Sequence, residues 1–230
     1  MKKTITINFL LLCLVTSAFG QKEKRPFTES FNQDECTFLT TGRNLYFILE
    51  PGFQLTLQGN EGKDSLKLVI TVLNETKKIG KVETRIVEEH ESVNDEVIEI
   101  SRNYFAICKE TGTVFYFGED VDIYKDGKVI NHSGAWIAEG NNKAGIVMPG
   151  QLLLGSRYYQ EIAPDIAMDR AEVVSLTEIQ TTAAGQFNNV LKTLETTPLE
   201  PKEKSYKLYA PGIGLIKDGA VFLTNYGPIK

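Results

Sequence analysis

The feature that most constrains this chain is a two-residue alternation of apolar and polar side chains, which recurs from Leu45 onward. It is clearest over residues 53–58 and 66–72, where apolar side chains stand two positions apart. Successive side chains of a strand point to opposite faces, so a period of two indicates strands. Turn residues separate the alternating runs, and no segment keeps a 3.6-residue period. The pattern predicts an all-β fold, an antiparallel meander that forms a curved sheet, a half-barrel or a barrel.

Two Asp-Gly pairs mark tight hairpins within this pattern. Asp126-Gly127 lies between two apolar runs, and Asp218-Gly219 lies between another two. A type I′ turn needs positive φ at both central residues, and Asp-Gly meets that need at low cost. We therefore expect each pair to form the centre of a two-residue hairpin loop.

The N-terminus resembles an export signal. Lys2 and Lys3 precede an apolar run over 5–15, and small residues at Ala18 and Gly20 fit the positions before a cleavage site. The run is shorter than the roughly 20 residues that a spanning helix needs. We expect cleavage after Gly20 and export to the periplasm or the extracellular space, with no transmembrane segment in the mature chain.

The expected organisation is a signal peptide at 1–20, an irregular N-terminal arm at 21–43 and a single β domain at 44–230.

The mature chain keeps two cysteines, Cys36 in the arm and Cys108 near the end of a strand-like run. An even pair in an oxidising compartment favours a disulfide, whereas two separate buried thiols acting as small apolar groups is the alternative. Distant cysteines without nearby histidines lack the spacing of a zinc site, so we expect no metal. We also expect no cofactor.

The net charge of the chain disfavours two classes of partner. The chain has 25 Lys and Arg against 30 Asp and Glu, a net charge of −5. Loss of Lys2 and Lys3 with the signal leaves 23 against 30, or −7. Nucleic acids and anionic membranes reward clustered Lys and Arg, so both are poor partners. A lipid or other apolar ligand, or a partner protein, remains.

A glycine-rich stretch at 139–157 is the least regular part of the β domain. It carries Met148 and Leu153, while Trp136 precedes it and Tyr159 follows it closely. Apolar side chains in such a stretch must pack on the sheet or close over something bound there, because leaving them in water is unfavourable. We interpret it either as a lid over an apolar cavity or as a crossover packed on the core.

Arg102 shares a predicted strand face with Tyr104 and several aliphatic side chains. A cation on an otherwise apolar face needs an anionic partner. Either Arg102 meets the anionic end of a ligand, or it forms a salt bridge with a glutamate of a neighbouring strand.

Four short motifs resemble a family of uncharacterised secreted bacterial proteins. They are AGQF at 184–187, YAPGIGLIK at 209–217, LEPGF at 49–53 and SRNYF at 101–105. The chain is also distantly similar to periplasmic lipoprotein-carrier half-barrels, whose curved sheet holds lipid. The resemblance implies a β-rich exported domain, with a lipid-like ligand as the expectation.

The leading hypothesis is a secreted, non-enzymatic β domain that binds an apolar or amphipathic ligand or a partner protein. One alternative is a hydrolase that uses the carboxylates of the 157–170 stretch or His90, which stands among three glutamates. Another is a structural envelope module without a small-molecule site. An enzyme is less favoured, because no Gly-x-Ser-x-Gly elbow and no glycine-rich phosphate loop is present.

Overall fold

A computed structural model describes residues 25–229, so the predicted signal peptide at 1–20 lies outside the described residues. Across residues 25–229 the chain forms a nearly all-β structure, and the all-β prediction is confirmed. None of these residues belongs to a helix long and apolar enough to cross a membrane.

The described chain has 18 strands and one short 3-10 turn, Gln33–Glu35. The strands are β1 (Phe38–Leu39), β2 (Gly42–Asn44), β3 (Phe47–Leu49), β4 (Phe53–Glu61), β5 (Asp64–Ile79), β6 (Val82–Val93), β7 (Glu96–Cys108), β8 (Val114–Lys125), β9 (Lys128–Asn131), β10 (Trp136–Ile137), β11 (Lys143–Met148), β12 (Arg157–Tyr159), β13 (Glu161–Ile162), β14 (Arg170–Thr182), β15 (Gly185–Thr196), β16 (Ser205–Ala210), β17 (Gly214–Asp218) and β18 (Val221–Pro228).

The main sheet is antiparallel and almost closes into a barrel. Its strands follow the order β12-β14-β15-β16-β17-β18-β4-β5-β6-β7-β8-β11-β13. The first and last strands of this order are neighbours in sequence, since only Gln160 separates β12 from β13. One continuous segment therefore pairs with β14 at one end and with β11 at the other, which brings the two edges of the sheet together.

A glycine permits this closure. A Cβ on Gly145 of β11 would lie 2.4 Å from the backbone carbonyl of Gln160, a distance that real side chains do not tolerate. The close approach of the two backbones therefore requires glycine at this position.

The two Asp-Gly pairs behave differently. Asp126 and Gly127 have φ of 52° and 70°, as a type I′ loop requires, and they join β8 to β9. At the second pair Asp218 is still in β17 and pairs with Val221, so the loop is shifted by one residue to 219–220. Gly219 there has φ of 50°.

The N-terminal arm packs on the barrel instead of remaining irregular throughout. Phe38 of β1 pairs with Cys108 of β7, and a disulfide joins Cys36 to Cys108 with their Cα atoms 5.1 Å apart. The arm covers a second core on the outer face of the sheet, where the Phe38 ring contacts Phe115 and Phe117 with centroids 5.4 and 5.2 Å apart.

The hairpin β2–β3 packs against one end of the barrel. Tyr46 and Leu49 are buried in the main core, and the Tyr46 hydroxyl donates to the carbonyl of Asn189, 2.9 Å away. The backbone N–H of Gly212 donates to the carbonyl of Leu45 in the hairpin turn. These contacts close this end of the barrel.

Candidate functional site

The barrel interior contains an apolar cavity, here called the apolar pocket, of about 110 Å³. Its walls come from the hairpin and from seven barrel strands, with two residues from connecting segments. The apolar side chains that line it are Phe47, Ile48, Phe53, Leu55, Ile70, Val72, Val87, Phe105, Val147, Tyr209, Ile213 and Leu215.

A second cavity of about 320 Å³, here called the acidic chamber, lies beside it. Lys207 is the one cation among its lining residues, and seven carboxylates surround the same space. They are Glu89, Glu91, Glu99, Glu119, Glu161, Asp169 and Glu195.

The two cavities adjoin, because five residues line both. These shared residues are Glu89, Phe105, Val147, Gln160 and Lys207. Toward the 197–204 connection, the chamber side opens into a wider funnel of about 640 Å³. The interior therefore runs from an apolar end to an acidic end with a route to the outside.

Strand alternation explains why these carboxylates face inward. On β6, Glu89 and Glu91 follow Val87, which is buried in the main core, at two-residue intervals. Glu91 stands directly opposite Glu99 of β7. Like charges opposite each other on one sheet face are destabilising, so this pair does not serve the stability of the sheet.

The polar run at 88–91 is thus split between the two faces of the sheet. His90 points outward and lies 3.0 Å from Glu88, its neighbour on the outer face. The hydrolase hypothesis that uses His90 therefore has no support from its position, since the histidine is not among the residues that line the chamber.

Lys207 of β16 is already paired. Its Nζ lies 3.1 Å from Glu195 Oε2 and 3.4 Å from Asp218 Oδ2. Burial alone would lower the pKa of this ammonium, but the carboxylates of Glu195 and Asp218 outweigh it and raise that pKa well above its usual range. Lys207 therefore stays charged, and its charge is taken up by Glu195 and Asp218 before any further carboxylate of the chamber.

Burial raises the pKa of the six other carboxyls of the chamber above their usual values. Burial raises the pKa of Glu89 and of Glu119 to about 7 and that of Glu161 to about 8. Glu89 keeps some accessible surface because it faces the chamber, not because it reaches the outside. Near neutral pH these groups thus exchange protons in response to a new charge in the chamber.

Two residues that line the chamber each carry a buried side-chain oxygen with no hydrogen-bond partner in residues 25–229. These oxygens are Gln160 Oε1 and Glu161 Oε2, on residues that are 8% and 6% exposed. The backbone N–H of Asp169 and the Trp136 ring both act to lower the pKa of Glu161, but within the described residues Glu161 Oε2 and Trp136 Nε1 each lack a partner in hydrogen-bond geometry. A buried acceptor without a donor is unfavourable, so a donor that enters the chamber would satisfy these atoms.

The chamber is not built as a compact metal site. In the part of the chain that the structure describes, one group of at least three Cys, His, Asp or Glu side chains has its ligand atoms within 4.8 Å of one another. It consists of Cys36, Cys108 and Glu110, and the two sulfurs are joined to each other. The chamber carboxylates are spread more widely than a single ion would require.

Arg102 and Tyr104 lie on the outer face of β7 and do not line the chamber. The Arg102 guanidinium donates to Glu88 and Asp122 at 3.0 and 3.1 Å, so it forms the salt bridges of the second interpretation. The Tyr104 hydroxyl bonds to Asp120.

The other predicted site residues are dispersed. Trp136 and Met148 are buried in the main core, with the Trp136 ring 5.3 Å from that of Tyr116. Leu153 is 64% exposed. Tyr159 packs against Phe27, with ring centroids 5.9 Å apart.

The stretch at 139–157 contributes a wall of the barrel. It contains β11, which pairs with β8 and β13, so this part packs as the crossover interpretation expects and is not a lid. Val147 of this strand faces both the apolar pocket and the acidic chamber.

Sequence reasoning included two chamber residues, Glu161 and Asp169, as carboxylates of the 157–170 stretch, and it did not identify the others. A signal for these others was present in the sequence, because Glu89 and Glu91 stand in phase with Val87 on one strand face.

Comparisons with protein-family models, with curated proteins and with solved structures found no match.

Proposed function

We propose that the barrel interior binds a small amphipathic molecule, with its apolar end in the apolar pocket and its polar end in the acidic chamber. The observation that carries this is the continuity of the two cavities through their five shared lining residues. Concave sites with apolar walls and a few convergent polar groups are the usual form of ligand pockets. The disulfide supports an exported location for this activity, because such bonds persist in oxidising compartments.

The size of the apolar pocket limits the apolar end of the ligand. At about 110 Å³ it is smaller than the cavity of roughly 150 Å³ that takes benzene in an engineered protein. A chain of about five carbons is the longest we expect the pocket to enclose, so the end of a six-carbon chain would extend into the acidic chamber. At about 0.8 kcal/mol for each buried methylene, such a chain supplies about 4 kcal/mol, which corresponds to a dissociation constant of about 1 mM. The polar end must contribute the remaining affinity.

A second candidate is acid–base catalysis in the same chamber. Glu161 and Asp169 come from the 157–170 stretch that the hydrolase hypothesis used, and both line the chamber. Glu161, with a pKa of about 8, is protonated at neutral pH, as a general acid must be. Turnover of nitrophenyl glycosides by the wild type, lost in Glu161→Gln, would favour this candidate over equilibrium binding.

Filling the apolar pocket should abolish most of the binding. We expect Val147→Phe to weaken binding of six-carbon probes at least about tenfold, because the added ring occupies the space of their chain. The probes are hexylamine, hexanol and hexanoate, which share a tail and differ in the head. Isothermal titration calorimetry measures each affinity.

Val129→Phe is the matched control for this experiment. Val129 lies on β9 and is 43% exposed, so the same substitution there should leave the affinities unchanged. Binding of none of the three probes by the wild type, or equal binding by Val147→Phe, would contradict the proposal.

A further inference from the structure

We propose that the polar end of the ligand is an organic cation, an alkylammonium or an oligoamine, held among the carboxylates of the acidic chamber. This inference rests on the proposed function and specifies the chemical class of its ligand. It begins from the charges: seven carboxylates and one lysine line the chamber, and the lysine is bound to Glu195 and Asp218.

The other carboxylates of the chamber lack a cation. In residues 25–229, no Lys, Arg or His nitrogen lies within 4.0 Å of the six chamber carboxylates other than Glu195. These six are Glu89, Glu91, Glu99, Glu119, Glu161 and Asp169. Burying carboxylates without counter-charge is unfavourable, so these groups either take up protons or meet a cation that enters the chamber.

The unsatisfied acceptors give an independent indication of the same chemistry. Gln160 Oε1 and Glu161 Oε2 are more than nine-tenths buried, border the chamber and have no donor within the described residues. An ammonium group offers up to three N–H donors and no acceptor. It therefore matches both the charge of the chamber and the hydrogen bonds that the chamber leaves open.

Other head groups fit less well. A fatty carboxylate, one form of the lipid-like ligand that the resemblance to lipid carriers implies, would place a further negative charge among Glu89, Glu119 and Glu161. A single divalent ion needs three or more ligand atoms close together, and the chamber carboxylates are not so arranged. An alcohol supplies one donor but no charge. An organic cation with a short apolar chain uses both cavities.

Binding of the cation should release protons. Glu161 faces Asp169, Glu119 of β8 and the neutral Trp136 ring, whereas Glu89 faces Lys207, Glu91, Asp218 and Glu119. A positive charge placed among these groups favours their ionised forms. Affinity for an amine should thus rise from about pH 6 to about pH 8.5, a range in which an alkylammonium with a pKa near that of lysine stays charged.

The test uses the three six-carbon probes at about pH 8, with titrations repeated in buffers of different ionisation enthalpy to count released protons. We expect hexylamine to bind at least about tenfold more tightly than hexanol, hexanoate to bind most weakly, and only hexylamine to release protons. Hexanol or hexanoate binding as tightly as hexylamine would overturn the cation inference while the proposed function stands. Binding of no probe would overturn the proposed function itself.

Two variants locate the effect. Glu161→Gln removes one chamber carboxylate and should weaken hexylamine binding about tenfold at pH 8.5, with little change for hexanol. Glu83→Gln, an exposed position on the same strand as Glu89, should change neither. Unchanged hexylamine affinity in a folded Glu161→Gln protein would overturn the placement of the cation in the acidic chamber.

Discussion

Raising the pH from about 5 to about 9 should lower the free energy of unfolding of the ligand-free protein by several kcal/mol. Burial raises the pKa of Glu89 and Glu119 to about 7 and that of Glu161 to about 8, above the value near 4.5 of an unfolded glutamate. Between these values the folded chain binds more protons than the unfolded chain, so stability falls as pH rises. The contribution is fully present below about pH 4.5 and is lost as pH rises through about 7 to 8.

Urea denaturation at a series of pH values measures this dependence. Each unit of pKa shift is worth about 1.4 kcal/mol, but water entering the chamber screens the charges, so we expect about 3 kcal/mol from Glu161. Glu161→Gln should therefore be about 3 kcal/mol more stable than the wild type at pH 9 and nearly equal to it at pH 5. Exposed Glu83→Gln should follow the wild-type curve. Stability that is flat or rises over this range would contradict the raised pKa values.

The same carboxylates that suit the chamber to a cation thus destabilise the empty barrel. Glu91 and Glu99 stand opposite each other on the inner face, and apolar residues there would pack better. A ligand that binds only the folded state adds stability by mass action. Hexylamine should therefore stabilise the protein most at alkaline pH, where the ionised carboxylates of the empty chamber destabilise the folded state most.

The fold was predictable because alternation reports directly on strands. The runs at 53–58 and 66–72 lie in β4 and β5, and their apolar side chains face the main core. Barrel closure was not predictable in the same way. It depends on the 157–162 segment pairing with both β11 and β14 and on the close approach at Gly145, and none of this leaves a local pattern.

The site was harder to predict because β7 is covered on both faces. Phe105 and Ile107 face the main core, whereas Tyr104 and Cys108 face the outer core beneath the arm. With apolar residues on both sides, alternation cannot show which face is inside. This is why Arg102, which shares the outer face with Tyr104, resembled a ligand contact in the sequence.

The acidic chamber also unites residues that are far apart in sequence. Glu195 and Lys207 come from β15 and β16, whereas Glu89 comes from β6, and only the order of strands around the barrel brings them together. The local signals were the charged stretch at 157–170, which holds Glu161 and Asp169, and the placement of charges on the core-facing side of β6. Charges in phase with buried positions deserve a functional interpretation, since folding alone does not favour them.

Removing the disulfide should have the largest effect of any single covalent change. We expect Cys36→Ala combined with Cys108→Ala to lower the free energy of unfolding by about 4 kcal/mol, the chain-entropy value for a closed loop of this size. The two cysteines are 72 residues apart in sequence. The bond also fixes the arm over the outer core, where Phe38 packs on Phe115 and Phe117.

Denaturation of the reduced wild-type protein is the matched control, because it breaks the bond and keeps both sulfur atoms. Cys108 is fully buried, so the double alanine variant also loses some packing, and the difference between the two experiments separates packing from the cross-link. Hexylamine affinity should be unchanged in both, since the disulfide lies on the outer face of the sheet and the chamber on the inner face. A loss below about 1 kcal/mol on reduction would contradict this prediction. It would mean either that the arm keeps some order in the unfolded chain, or that the β1–β7 pairing holds the folded arm without the bond. An accompanying loss of hexylamine binding would mean that the outer core supports the chamber wall through β7.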